Sequence, residues 1–273
     1  MISRFTAAFS LTCLLGLSAI AANTPIGVAV TNGRFTLDSS AVVGNATLFQ
    51  GSVLETANTT SDLSLNTGVK VRLGMESRGK IFKDGLLLEK GDGQVSGSKY
   101  TVTAGDLRVV PVGTQTIARV TIGANSQVEV ASLLGSLRVE TDGGIPVANL
   151  AAGTALSFSG QASASTPTTV HGVVHVHNGH YTLTDTTSHV TFQLHGDDLQ
   201  KYVGKTITAT GNLEGTDVLQ VLNVTGGAGA GGGAGAGAGL SHAAIAGIVI
   251  GGATGLGLGI AAATGAFSSS ASR

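Results

Sequence analysis

Apolar and polar residues alternate along much of this chain with a period of two. Val69, Val71 and Leu73 are interleaved with Lys70 and Arg72, Val128 and Val130 flank Glu129, and Leu137 and Val139 flank Arg138. Successive side chains of a strand point to opposite faces, so the pattern predicts strands with one face buried. Tyr100 and Val102 alternate with threonines in the same way. Turn signals fall between the runs: Asn32-Gly33, Asp84-Gly85, Gly91-Asp92-Gly93, Gly105-Asp106 and Asp142-Gly143-Gly144. Turns about 8 to 12 residues apart, with no long segment of helical period, predict an all-β sandwich or rolled β domain over residues 26–158.

Residues 159–168 are rich in Ser, Ala, Thr and Pro and read as a linker. A second domain is expected over 169–225. In HGVVHVHNGHYTLTD, Asn178-Gly179 joins two alternating runs, a strong hairpin signal. A two-residue loop sets His177 opposite His180, Val176 opposite Tyr181, His175 opposite Thr182 and Val174 opposite Leu183. SHVTFQLHG is a third strand, DDLQKYVG a short helical turn with acids at its start, and KTITATGNLEG and DVLQVLNV two more strands. Three strands, a short helix and two strands follow the order of the OB-fold, a small five-stranded barrel.

The two ends of the chain are apolar in different ways. Arg4, an apolar run from Phe9 to Ile20 and the small-x-small triplet Ala19-Ile20-Ala21 predict a signal peptide over 1–21. Residues 226–239 are almost wholly Gly and Ala and read as a tether. Residues 240–267 carry no charge, with glycines at Gly247, Gly251, Gly255 and Gly259. A step of four returns to one side of a helix, and roughly 20 apolar residues cross a bilayer. The reading is a transmembrane glycine-zipper helix that associates with a second copy through those glycines, followed by a short tail over 268–273.

Composition narrows the function. The net charge of -1 and an aromatic content of 4% argue against a nucleic-acid partner. Cys13, the single cysteine, lies inside the signal run, so thiolate catalysis and cysteine metal sites are not expected of the mature chain. No nucleophile elbow or phosphate-binding loop stands out. Gly227, Gly229 and Gly232 spell G-x-G-x-x-G only within the Gly/Ala tract.

The run GNATLFQGSVLETANTTSDLSLNTGVKVRLGMESRGKIFKDGLLLEKGDGQV resembles the FecR-like domain. The resemblance is carried by Gly51-Ser52, Thr56, Leu63, Leu65, Gly68, Val71, Leu73, Leu86, Leu88 and Gly91, and later by GSLRVETDGG and AAGTALSF. It implies an extracytoplasmic all-β module of bacterial envelope proteins. Some members relay a signal through an N-terminal cytoplasmic segment and one membrane helix. Here a cleavable signal is expected in that place, so the fold is carried over and no relay mechanism is.

Six of the seven histidines lie between His171 and His195. The register above turns His175, His177 and His180 to one outward face. Directly opposed residues stand about 5 Å apart, so these three are the candidate ligands for a Zn, Ni or Cu ion. The plainer account is a solvated Thr/His face without a ligand. Taken together, the sequence predicts an exported, non-enzymatic binding or scaffold protein, with periplasmic domains anchored in a membrane by the C-terminal helix. It would bind an envelope protein or glycan and self-associate through its tail. The alternatives are a metal- or pH-responsive sensor using the His face, and a hydrolase of envelope polymers.

Overall fold

The computed structural model describes residues 24–123, 125–160, 167–229, 242–245 and 247–252. The described residues are all-β. The first region holds β1 (Gly27–Leu37), β2 (Ser40–Leu48), β3 (Ser52–Thr56), β4 (Ser61–Leu65), β5 (Lys70–Leu73), β6 (Arg78–Ile81), β7 (Gly85–Ser96), β8 (Thr101–Ala104), β9 (Leu107–Ile122), β10 (Val128–Thr141), β11 (Pro146–Leu150) and β12 (Ala155–Gly160).

Six of these strands close a barrel in the order β1-β3-β6-β7-β5-β4 and back to β1. Closure needs two strands that change partner along their length. β1 pairs with β4 through Gly27–Thr31 and with β3 through Phe35–Leu37, with a bulge between Val30 and Arg34 facing β2. β7 pairs with β6 through Leu86–Lys90 and with β5 through Gly93–Ser96. It bends at Gly91, whose φ of 82° is left-handed and where a Cβ would collide with Ser77. Asn32-Gly33 and Gly91-Asp92-Gly93, expected as turns between strands, are therefore corners within long strands. The other three turn signals do lie between strands.

The alternation fills the interior. Phe35, Leu54, Leu63, Val71, Leu73, Ile81, Leu86 and Leu88 are fully or almost fully buried, while Lys70, Arg72 and Glu89 face outward. Tyr100 is buried, and its hydroxyl donates to the carbonyls of Gly85 (2.8 Å) and Phe82 (3.2 Å). Burial pushes the phenol well above its usual range, and Asp84 adds to the shift. β7 then passes through β8 and β9 to the long β9–β10 ladder, which carries β11 and β12.

The second region holds β13 (Thr168–His177), β14 (His180–Thr184), β15 (Thr191–His195), a 3-10 turn (Leu199–Tyr202), β16 (Lys205–Glu214) and β17 (Val218–Gly229). The pairing β13-β14-β15-β17-β16 returns to β13, with β15 and β17 parallel. This five-strand closure fits the OB-like order read from the sequence. Val174, Leu183, Phe192, Leu194, Ile207, Ala209 and Leu219 fill it. The acids expected to open the helical turn do not cap it. Asp198 is left-handed at its N-terminus and makes no side-chain capping bond. β17 also runs into the stretch read as a tether, with Gly226 and Gly229 paired to β16.

The expected C-terminal helix is overturned. Residues 242–245 and 247–252 form a hairpin of β18 (His242–Ile245) and β19 (Ile248–Gly252), with Gly247 at φ 77° before β19. β19 adds to β12 over Leu156–Gly160, and β18 meets β13 at Thr169. Ile245, Ile248 and Ile250 are buried there. The physical reason is that a repeat of four is also two repeats of two. Ile248 and Ile250 alternate with Val249 and Gly251, so the segment suits a strand with one buried face. Among the described residues no helix is long and apolar enough to cross a membrane. Gly247 and Gly251 thus sit in a turn and a strand, not on a helix face. Gly255 and Gly259 lie outside the described residues, as does the signal peptide over 1–21. Besides this hairpin, Asn149 of β11 joins the two regions. Its backbone N–H donates to the Ser188 carbonyl (2.7 Å) and its Nδ2 to the His189 carbonyl (3.2 Å).

Candidate functional site: the histidine face of the second barrel

The Asn-Gly turn builds this face. Asn178 and Gly179 take φ values of 52° and 80°, the left-handed pair of a tight hairpin turn. The register follows as expected, with Val174 opposite Leu183, His175 opposite Thr182, Val176 opposite Tyr181 and His177 opposite His180. Val174 and Leu183 are buried. Val176 is 49% exposed and Tyr181 only half-buried, although their parity is that of the core. The reason is length. β16 accompanies β13 only as far as Val173, so the hairpin tip overhangs the barrel. The Tyr181 hydroxyl reaches back to donate to Gln200 Oε1 at 2.9 Å, tying the overhang to the 3-10 turn.

His175, His177 and His180 are all exposed on the outer side. Among the described residues no group of three His, Cys, Asp or Glu side chains comes together to hold a metal ion. The contact that does form is a different one. Gln193 Nε2 lies 3.0 Å from His180 Nδ1 and 2.8 Å from His195 Nε2. As an amide donor it suits imidazole nitrogens that offer lone pairs. Thr184 and Thr191 extend the same face, their hydroxyls 2.8 Å apart. The result is a surface of imidazole, amide and hydroxyl groups across β14 and β15. His195 and Gln193 were absent from the sequence-derived site. Alternation in 191–195 turns them outward, but no short turn sets the β14–β15 register.

Below the face, Asp185 is fully buried and holds the connection from β14 to β15. Its Oδ1 accepts from the backbone N–H groups of Thr187 (2.9 Å) and Ser188 (2.8 Å) and from Ser188 Oγ (3.0 Å). Its Oδ2 accepts from the His171 N–H at 2.8 Å. Three of these bonds lie within the turn and the fourth ties it to β13, so this carboxylate is structural. His171 stands apart from the other histidines, its Nδ1 3.0 Å from Thr208 Oγ1 on β16.

The outer face of the first barrel is built on a different plan. Arg72 forks onto Asp62 (2.7 and 3.2 Å), Arg119 onto Asp92 (2.8 and 3.1 Å), and Arg78 bonds Glu89 at 2.6 Å. The side-chain bonds to Asp62 and Asp92 hold the Arg72 and Arg119 guanidiniums above their ordinary range, against a smaller desolvation effect. The residues that carried the family resemblance also serve the fold. Ser52 Oγ donates to Asp38 Oδ2 at 3.1 Å, Thr56 Oγ1 to the Gly74 carbonyl at 2.6 Å, and Gly51, Gly68 and Gly91 all have positive φ. No protein-family model matches the chain, and no curated protein is similar to it.

Proposed function

We propose that this chain is an exported, non-enzymatic binding protein of the bacterial envelope, with a FecR-like first domain acting as scaffold and an OB-like barrel presenting the ligand face. The observation that carries the reading is the shared contact of Gln193 with His180 and His195. It holds three polar side chains in one arrangement on an exposed sheet surface. Imidazole, amide and hydroxyl groups of this kind suit the hydroxyls and amides of an envelope glycan or protein. The paired charges of the first barrel are already engaged with one another, which suits a supporting role.

The test is cosedimentation of the purified protein lacking residues 1–21 with isolated cell-wall sacculi. The protein is expected in the pellet, and His180→Ala with Gln193→Ala and His195→Ala should leave it in the supernatant. Pelleting unaffected by the triple change would remove this face from the proposal. No pelleting of the parent would remove the glycan ligand.

A second reading has its own support, because two imidazole nitrogens converge on one atom and His177 stands opposite His180. On that reading the face is a metal-responsive patch for Zn, Ni or Cu. Calorimetric titration with zinc would give heat in the parent and none in His180→Ala. An athermal parent would end the metal reading.

A further inference from the structure

Six arginines lie among the described residues, and five are ion-paired. Arg72 pairs with Asp62, Arg78 with Glu55 and Glu89, Arg108 and Arg138 with Glu140, and Arg119 with Asp92. Arg34 is exposed and has no carboxylate partner among the described residues. It stands where β1 bulges. Thr31, Asn32 and Gly33 of β1 span a stretch that β2 covers with Gly44 alone. The Thr31 hydroxyl donates to the Thr60 carbonyl and pins the bulge from inside. Bulges re-aim side chains and are frequent beside binding sites.

The bulge, the end of β3 and the connection that follows it line an open groove of about 530 Å³. That lies within the range of roughly 300–1,000 Å³ typical of small-molecule sites. Its walls carry Asn32, Arg34, Thr36, Glu55, Asn58 and Thr59, above the buried Phe35 and Thr56. Glu55 is the one acid in this lining, and its carboxylate lies 3.4 Å from Arg78 Nη1.

We propose that this groove binds a carboxylate-bearing saccharide. The Arg34 guanidinium takes the carboxylate, a planar pairing for which its forked donors are suited. Asn32, Thr36, Asn58 and Thr59 supply amides and hydroxyls that both donate and accept, as sugar hydroxyls require. A phosphate is less well matched, because its greater charge calls for a second cation and Arg34 is the groove's only one. The site lies on the first barrel and stands whether or not the histidine face of the second binds anything.

The experiment is isothermal titration of the purified protein with a galacturonate trimer, with a neutral glucan trimer of the same length, and with inorganic phosphate. The uronate is expected to bind and the neutral trimer to bind at least about tenfold more weakly. Arg34→Ala should cost the uronate about tenfold or more, and Arg34→Lys less, because the charge stays and the fork is lost. Arg72→Ala, which removes a paired arginine of the same barrel, should leave affinity unchanged. Equal binding of the two trimers, indifference to Arg34→Ala, an equal loss in Arg72→Ala, phosphate binding as tight as the uronate, or no uronate binding would each overturn the proposal.

Discussion

On the first barrel Asp62, Glu89 and Asp92 stand outside, each bonded to an arginine of a neighbouring strand. On the second, Asp185 lies wholly inside and bonds to backbone N–H groups and a serine, leaving the outer face of β14 and β15 to histidine, glutamine and threonine. Both interiors are mainly apolar and both barrels close by pairing their strands in a ring. The difference lies in what their carboxylates do. Outside, a carboxylate is solvated whether or not it is paired, so it trims the surface and little depends on it. Inside, it must be fully bonded, and the donors bonded to it depend on it in turn.

The largest expected effect follows from that contrast. Asp185→Ala strips a buried cluster of donors of its acceptor. It should destabilise the second barrel by about 3 kcal/mol or more. Asp185→Asn keeps the shape but not the charge and should cost less. Urea titration followed by tyrosine fluorescence would measure both, since Tyr181 and Tyr202 report on this region. A loss below about 1 kcal/mol for Asp185→Ala would mean the turn is held by something else.

The second effect concerns the join between the barrels. Ile250 is fully buried in β19, where that strand adds to β12. Ile250→Ala should cost about 2–5 kcal/mol by the ordinary cavity rule. Cysteines at Ser157 and Gly251, which are paired across β12 and β19, should form a disulfide within one chain. If that pair stays reduced under oxidising conditions, the C-terminal segment is not a strand of this sheet.

That segment marks where the sequence could be read and where it could not. The alternation that predicted the first barrel also runs through Ile248, Val249, Ile250 and Gly251, but the four-residue glycine spacing satisfies a helix and a strand equally. Only a free edge on β12, a tertiary fact, decides between them. The hairpin at Asn178-Gly179 was legible down to its register because a two-residue turn leaves no slack. The connection from Asp185 to Val190 is longer, so nothing local sets Gln193 beside His180 and His195. Asp84-Gly85 and Gly105-Asp106 ended strands as their composition suggests, whereas Asn32-Gly33 and Gly91 became corners inside strands. A turn residue announces a change of direction and not which strand follows it. Arg34 gave no signal at all, since whether an arginine is paired depends on strands distant in the chain.

A smaller effect sharpens the comparison from within the first barrel, which buries a hydroxyl where the second buries a carboxylate. Tyr100→Phe removes two bonds to carbonyls and should cost about 1–2 kcal/mol near neutral pH. Burial raises the folded phenol above its unfolded value. The folded state therefore holds a proton that the unfolded chain releases from about pH 10 upward. Stability is fully present below that point and falls as pH climbs toward the folded value. The denaturation midpoint of the parent should drop more steeply than that of Tyr100→Phe between about pH 9 and about pH 11. Parallel curves would mean the hydroxyl is not sequestered.

The smallest effect is the exposed pair itself. Asp62 and Arg72 are directly opposite on β4 and β5, with a forked contact and partial exposure on both sides. A double-mutant cycle with Asp62→Ala and Arg72→Ala should give a coupling of about 0.2–1 kcal/mol. It should shrink as salt rises from about 0.05 to about 0.5 M, because solvent-exposed charges are screened over roughly 10 Å at 0.1 M. Set beside Asp185, the cycle asks whether location or bond count governs what a carboxylate contributes here. The Asp62 carboxylate accepts two bonds from a full cation, and Asp185 accepts four from neutral groups. If charge assistance outweighed burial, the two would come out alike. A coupling near 3 kcal/mol that persisted in salt would dissolve the distinction between the barrels.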